Sequence, residues 1–250
     1  MSRVGWLRLA LIAGSVLTLE AACRSGLIVP FTMIPPSEMA VALVELLSSG
    51  KGWADVGRTL RIIAICLVAA VVAGLLLGIV LHLLPRLRRA AEPLLTSYYA
   101  VPVFVLYPTF IMLFGANDVP LIIIGALFAV IVMAVNTLTG LQRVPPVLLK
   151  VARMQGLGPA ATVWQVMLPA TAPFLVTGVK LALAYAFIGV IAGEFILSTA
   201  GIGHAIAYAY NDFDNRTMYA LLLFIIALAT ALNLSLHAWE QRLLRRLGKA

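Results

Sequence analysis

Six apolar stretches, each close to the length that crosses a bilayer, constrain this chain of 250 residues more than any motif in it. They run over about 7–22, 60–84, 94–114, 119–141, 174–197 and 218–236. A helix of ~20 apolar residues spans the ~30 Å hydrocarbon core, and only helices or closed barrels satisfy their own backbone groups there. The stretches are continuous rather than alternating, which excludes a barrel. The expected fold class is therefore all-α, a polytopic membrane protein with about six transmembrane helices. A content of 62% hydrophobic and 11% charged residues, with a mean hydropathy of +1.04, describes the same kind of chain.

The net charge of +8 invites a nucleic-acid reading, but the positions of the charges argue against it. With the N-terminus inside, the inner segments hold 12 of the 18 basic residues: Arg3, Arg8, Arg86, Arg88, Arg89, Arg143, Lys150, Arg153, Arg242, Arg245, Arg246 and Lys249. The outer segments hold five, Arg24, Lys51, Arg58, Arg61 and Arg216, and Lys180 lies within a span. Of the acids, Glu92 and Glu240 fall inside, while Glu38, Glu45, Asp55, Asp118, Asp212 and Asp214 fall outside. Basic residues set orientation, so both termini and the 143–169 segment are expected to face the cytoplasm. The inner bases also suit anionic lipid headgroups, making membrane lipid an expected partner and nucleic acid none.

Segment 143–169, RVPPVLLKVARMQGLGPAATVWQVMLP, is too polar and too broken by Pro and Gly to cross a bilayer. Two short helices are written into it. Pro145-Pro146 suits the start of the first, and Gly156 suits a left-handed cap at its end. Pro159 opens the second, and Pro169 is expected to stop it. Val163, Trp164 and Met167 are spaced for one apolar face. A rigid, partly apolar hairpin between spans is expected to dock against a partner protein.

The spacing of Ala152, Gly156 and the run Val166, Met167, Leu168, Pro169 resembles the EAA motif of the membrane subunits of bacterial ATP-binding-cassette importers. The stretches LRRAAEPLLTSYYAVPVFVLYPTFIMLFG and LPATAPFLVTGVKLALAYAFIGVIAGEF carry the resemblance from about 58 to 243, and it is nearest the nitrate/sulfonate/taurine-type permeases. The resemblance implies a permease core over 58–250, preceded by an N-terminal span and an outer amphipathic segment over 1–57. It implies half of a translocation pathway in the bacterial inner membrane, completed by a second copy of the chain. The hairpin would couple to two copies of a separate ATPase, which would bind the ATP; this chain would hold no cofactor. A periplasmic or lipid-anchored binding protein would deliver a small anionic or zwitterionic solute. Lys150, Ala152, Arg153, Gly156, Trp164, Leu168 and Pro169 are the expected coupling residues. One departure stands out: where the family has Glu-Ala-Ala, this chain has Lys150-Val151-Ala152, a base in place of an acid.

The first 22 residues fit an uncleaved span and also a signal peptide; Glu20 and the five later spans favour the span. Ser37 is placed to cap a short amphipathic helix over 38–47. Gly74 with Gly78, and Gly189 with Gly193, are small-xxx-small pairs of the kind that brings helices close in lipid. Tyr98, Tyr99, Pro102 and Pro108 interrupt the third span, which reads either as a kinked pathway helix or as a tilted span with interfacial tyrosines. Asn136, with Thr137 beside it, is placed to bond across helices. Lys180 is placed to snorkel to headgroups. Glu194, near the outer end of the fifth span, reads either as a gate or as a carboxylate at the outer mouth, solvated or paired with Arg216 or His204. Tyr98, Pro102, Asn136 and Glu194 are the pathway candidates. Cys23 and Cys66, near the outer ends of their spans, read as free small apolar residues, with a disulfide between them as the alternative. No phosphate-binding loop, metal spacing or nucleophile constellation appears, so an enzyme is not expected. The alternative function, an ion-coupled secondary transporter, would need acids near midplane, and Glu194 alone lies deep.

Overall fold

The computed structural model describes residues 3–29, 31–50, 52–98 and 102–246. All regular structure among them is helical: α1 Arg3–Arg24, α2 Pro36–Ser48, α3 Trp53–Leu83, α4 Pro85–Ser97, α5 Tyr107–Phe114, α6 Asp118–Gln142, α7 Pro146–Met154, α8 Pro159–Thr162, α9 Leu168–Ala170, α10 Ala172–Leu197, α11 Ile202–Asn211 and α12 Asn215–Arg246. Helices α1, α3, α6, α10 and α12 are long and apolar enough to cross a membrane.

The expected span over 94–114 is broken. Helix α4 ends at Ser97, a 3₁₀ turn covers Val103–Leu106, and α5 starts at Tyr107. The apolar helical part, Val103–Phe114, is only about 18 Å long at 1.5 Å per residue. Proline explains the break. Pro102 stands just before the 3₁₀ turn, where it donates nothing, and Pro108 is tolerated because it falls in the first turn of α5. Tyr99 lies outside the described residues.

The chain forms two compact units, Thr59–Gly193 with Ala231–Ala250, and Met1–Arg58 with Glu194–Thr230. Helix α6 is the hub of the first. Its Leu121, Ile124, Ala129 and Met133 are buried among Ile62, Cys66 and Ala70 of α3 and Ala182, Ala186 and Val190 of α10. Both small-residue pairs mark close contacts. A Cβ on Gly74 would lie 2.6 Å from Cβ of Met133, and one on Gly78 2.6 Å from Cβ of Thr137. On the other side of α6, a Cβ on Gly189 would lie 3.0 Å from Cα of Gly125. Cys66 is buried and free, its Sγ 3.4 Å from the Ile122 carbonyl.

Two expectations for this unit are corrected. The Asn136 amide donates to the Val132 carbonyl at 2.8 Å and the Thr137 hydroxyl to the Met133 carbonyl at 2.8 Å, so both bond within α6 rather than across helices. The acceptor one turn back is always within reach, whereas a partner on another helix must be positioned. Lys180 does not snorkel: its Nζ lies 2.7 Å from the Glu240 carboxylate of α12, which also meets His237 Nδ1 at 3.2 Å. A mostly buried ammonium is better satisfied by a carboxylate within reach than by a distant headgroup.

In the other unit, Ser37 does not cap α2. Pro35 stands at the cap, and Ser37 gives both its N–H (3.0 Å) and its hydroxyl (2.7 Å) to the Glu20 carboxylate of α1. Arg24 donates to the same carboxylate at 2.6 Å. An acid borrowed from a neighbouring helix thus satisfies an orphan donor and complements the α2 dipole. Helix α2 packs by Met39 and Ala42 while Val41 and Val44 stay exposed. The segment before it is tied to the start of α12: Phe31 stacks on Phe213 with centroids 6.0 Å apart, and the Tyr219 hydroxyl donates to the Thr32 carbonyl at 2.7 Å. Cys23 is buried and free.

Candidate functional site

The 143–169 hairpin is built from ends. Helix α6 stops at Gln142, and the Arg143 guanidinium then sits 5.3 Å from the centroid of the Phe174 ring on α10. Pro146 occupies the first position of α7, where no N–H is required, as the sequence leads one to expect. At the far end Gly156 has φ +70°, its N–H bonds the Arg153 carbonyl at 3.0 Å, and the Leu157 N–H bonds the Ala152 carbonyl at 3.0 Å. That pair of bonds is a Schellman cap, and its left-handed residue is the reason for glycine. Gly158 then runs extended into Pro159, which opens α8.

Pro169, however, does not stop the second helix. The winding widens into a π turn over Val163–Met167, where the Leu168 N–H bonds the Val163 carbonyl, and resumes as α9 with Pro169 in its first turn. A new helical start needs no donor from that residue, so the ring fits. The chain breaks two residues later at Thr171, a buried residue whose hydroxyl donates to the Leu168 carbonyl at 3.0 Å.

The expected single face of Val163, Trp164 and Met167 is split. Val163 and Met167, one turn apart, are buried with Leu141, Val144 and Leu168 in a second small core, and Trp164 stands away from it, 58% exposed. Ala152 is buried at 1% exposure, so α7 turns its smallest residue inward. Its outer side shows Val147, Val151 and Met154, spaced at four and three residues, with Lys150 and Arg153 exposed beside them. Of the seven expected coupling residues, Ala152, Gly156 and Leu168 hold the hairpin's shape, while Lys150, Arg153 and Trp164 are presented outward and Pro169 is exposed at the α9 start.

Of the four pathway candidates, Tyr98, Pro102 and Asn136 lie in the first unit and Glu194 in the other. Tyr98 is half-buried and its hydroxyl donates to the Leu127 carbonyl at 2.9 Å. Asn136 lies nine residues further along α6, roughly 13 Å away at the helical rise. Pro102 is exposed, and its carbonyl accepts the Val105 N–H at 2.9 Å. Glu194 belongs to the other unit and is fully buried, which removes the solvated reading. Its carboxylate accepts the Gly203 N–H at 3.0 Å and packs against Gly201, whose φ of +105° and lack of room for a Cβ both require glycine. Arg216 is instead paired with Glu45 at 2.8 Å. Asp55 accepts the Gly201 N–H at 2.7 Å, so two carboxylates fix the start of α11.

Comparison with known proteins decides the family. Residues 70–249 match the binding-protein-dependent transport system inner membrane component. The chain belongs to that family. It is a transport component rather than an enzyme, and an inner-membrane protein with several spans. Among its curated relatives are the taurine transport system permease protein TauC of Escherichia coli (strain K12), 27% identical over 87% of this chain and 81% of the relative. The putative aliphatic sulfonates transport permease protein SsuC of Bacillus subtilis (strain 168) is 25% identical over 97% of this chain and 88% of its own length. Among solved structures, an inward-facing conformation of the MetNI methionine ABC transporter shares the fold, with a TM-score of 0.67 over 78% of this chain and 94% of that one at 20% identity.

Three features of this permease's site were missed in the sequence. The Arg143–Phe174 contact and the buried Thr171 lie at junctions between helices, where no pattern within one helix marks them. The Lys180–Glu240 pair joins residues 60 apart, and only its unlike charges hinted at it.

Proposed function

We propose that this chain is one half of the translocation pathway of an ATP-driven importer, paired with a second copy of itself and coupled through 143–169 to a separate ATPase. The observation that carries the reading is the hairpin's two-sidedness. A capped turn and a buried core make it rigid, while the apolar stripe Val147, Val151 and Met154 of α7, with Lys150 and Arg153 beside it, and Trp164 of the π turn are left exposed. Covering each such side chain is worth about 1.5–3 kcal/mol. A rigid body with an uncovered apolar stripe transmits motion to whatever anchors it. ATP, bound by two partner subunits and not by this chain, favours the arrangement in which the paired hairpins approach, and the spans follow because the two states differ in affinity for ATP. The charge distribution supports a hairpin and termini that face the cytoplasm.

The substrate we propose is a small sulfonate-like anion or zwitterion, in keeping with the taurine and aliphatic sulfonates for which TauC and SsuC are named, delivered by a binding protein at the outer face. The test is uptake into proteoliposomes holding this chain, its ATPase and its binding protein. ATP-dependent uptake of an alkanesulfonate or taurine is the expected result. Uptake that follows an imposed proton or sodium gradient without ATP contradicts the proposal.

A further inference from the structure

Helix α11 ends in a Schellman cap of the kind that closes α7: the Phe213 N–H bonds the Tyr210 carbonyl at 3.2 Å, and the Asp214 N–H bonds the Ala209 carbonyl at 2.9 Å. In the α7 cap the left-handed position belongs to Gly156, and in the α11 cap it belongs to Phe213, at φ +58°. Among the described residues Phe213 is the one non-glycine residue with positive φ. A bulky L-residue adopts that conformation at a cost, which burial of its ring would offset. Burial does not offset it here, because the side chain is 72% exposed. Phe31, on which it stacks, is 68% exposed, and Tyr210, whose carbonyl closes the cap, is exposed as well. The pair is also held in place. The Phe31 carbonyl accepts from the Asn215 amide and the Thr32 carbonyl from the Tyr219 hydroxyl, so both rings stand on fixed backbone. A strained residue that keeps a rigid aromatic pair uncovered points to a surface that something else covers, since such rings give up little freedom on binding.

The charges around the pair decide what covers it. Asp212 and Asp214 flank Phe213 and, with Asp55, His204 and Tyr208, line a cavity of about 360 Å³ beside α11. Among the described residues no cation pairs with Asp212, and Arg216, the next basic residue along the chain, is taken by Glu45 at 2.8 Å. Phosphate headgroups are repelled by such a rim, whereas a protein with basic side chains around an apolar pocket matches it in charge and in shape. We propose that the Phe31–Phe213 pair and its acidic rim are the surface on which the solute-binding protein docks. That partner brings an apolar pocket for the rings and Lys or Arg side chains for Asp212 and the cavity beside it. The inference rests on the import reading for the existence of the partner and on the charge distribution for the side of the membrane.

The test is photocrosslinking in native membranes with p-benzoylphenylalanine in place of Tyr210. The adduct is identified by mass spectrometry, and the crosslinked protein is then purified and its binding to this chain in nanodiscs is measured. The expected adduct is a solute-binding protein joined through a patch that carries Lys or Arg. Phe213→Gly removes the ring and supplies the residue that the turn prefers, so it should melt close to the wild type yet bind that protein at least tenfold more weakly. Asp212→Lys should weaken binding several-fold at low salt, and the gap should close at high salt as the charges are screened. An adduct with lipid, with a second copy of this chain or with any other protein, no adduct at all, or full-affinity binding by either variant overturns the proposal. Crosslinking and binding are read without ATP. A binding-protein adduct found together with gradient-driven uptake would therefore contradict the import reading and leave the docking surface standing.

Discussion

Gly156 concentrates the hairpin's dependence on backbone conformation in one residue. At φ +70° a side chain meets nothing within 4 Å, so substitution there costs backbone strain and not space. For an L-residue the left-handed conformation costs about 1–2 kcal/mol, most for a β-branched one. Gly156→Val is expected to insert normally yet lower coupled uptake roughly five- to thirty-fold, the equivalent of that strain, while Gly156→Asn keeps most of it. Normal substrate-stimulated ATP hydrolysis in Gly156→Val would count against the hairpin as the coupling element. A second residue-scale prediction concerns Asp214, whose Oδ1 accepts the Thr217 N–H at 3.0 Å at the start of α12. Hydrogen bonds from Thr217 hold its carboxyl below the usual carboxylate range. A depressed value means that the cap stabilises above the unfolded-state pKa and is lost as pH falls through the folded-state one. Asp214→Ala should cost about 1 kcal/mol near neutral pH, Asp214→Asn much less, and thermal melts at neutral and acid pH should show the difference from Ala vanish in acid.

At the scale of elements, α6 is held by close approach on both sides, against Gly74 and Gly78 of α3 and against Gly189 of α10. Gly78→Leu must push Thr137 away, and an overpacked contact of this kind costs about 1–3 kcal/mol. A thermal melt in detergent should show it, and an unchanged melt would mean that α3 and α6 do not meet there. The Lys180–Glu240 pair gives a separable prediction. Removing Lys180 alone leaves a mostly buried carboxylate poorly matched, whereas Lys180→Met with Glu240→Met leaves two apolar groups in contact. The single variant should therefore melt lower than the double, and the reverse order would show that the pair is incidental. These elements also show what was legible beforehand. The spans, the α7 start at Pro146, the cap at Gly156 and the glycine contacts follow from local rules: apolar length, a missing donor, a left-handed dihedral and the absence of a Cβ. The π turn that carries Pro169 past its expected stop and turns Trp164 outward arises from packing Val163 and Met167 together. Glu20 serving Ser37, and Glu240 serving Lys180, depend on which helix ends come close, which a pattern along one chain does not specify.

For the molecule as a whole, family membership and fold make this chain an inner-membrane transport component, and the proposed division of labour places energy in a partner and the path in the spans. The central claim is that the outward stripe of the hairpin is where the ATPase sits. Its most direct measurement is affinity purification of this chain from detergent extracts, with mass spectrometry and ATP hydrolysis assays on whatever accompanies it. The wild type should bring down an ATPase in equimolar amount, and Trp164→Ala, which removes an exposed side chain without touching the buried core, should lose most of it while the chain remains folded. A wild-type chain that purifies alone yet moves solute, or an ATPase retained in full by Trp164→Ala and Met154→Ala together, would contradict the account.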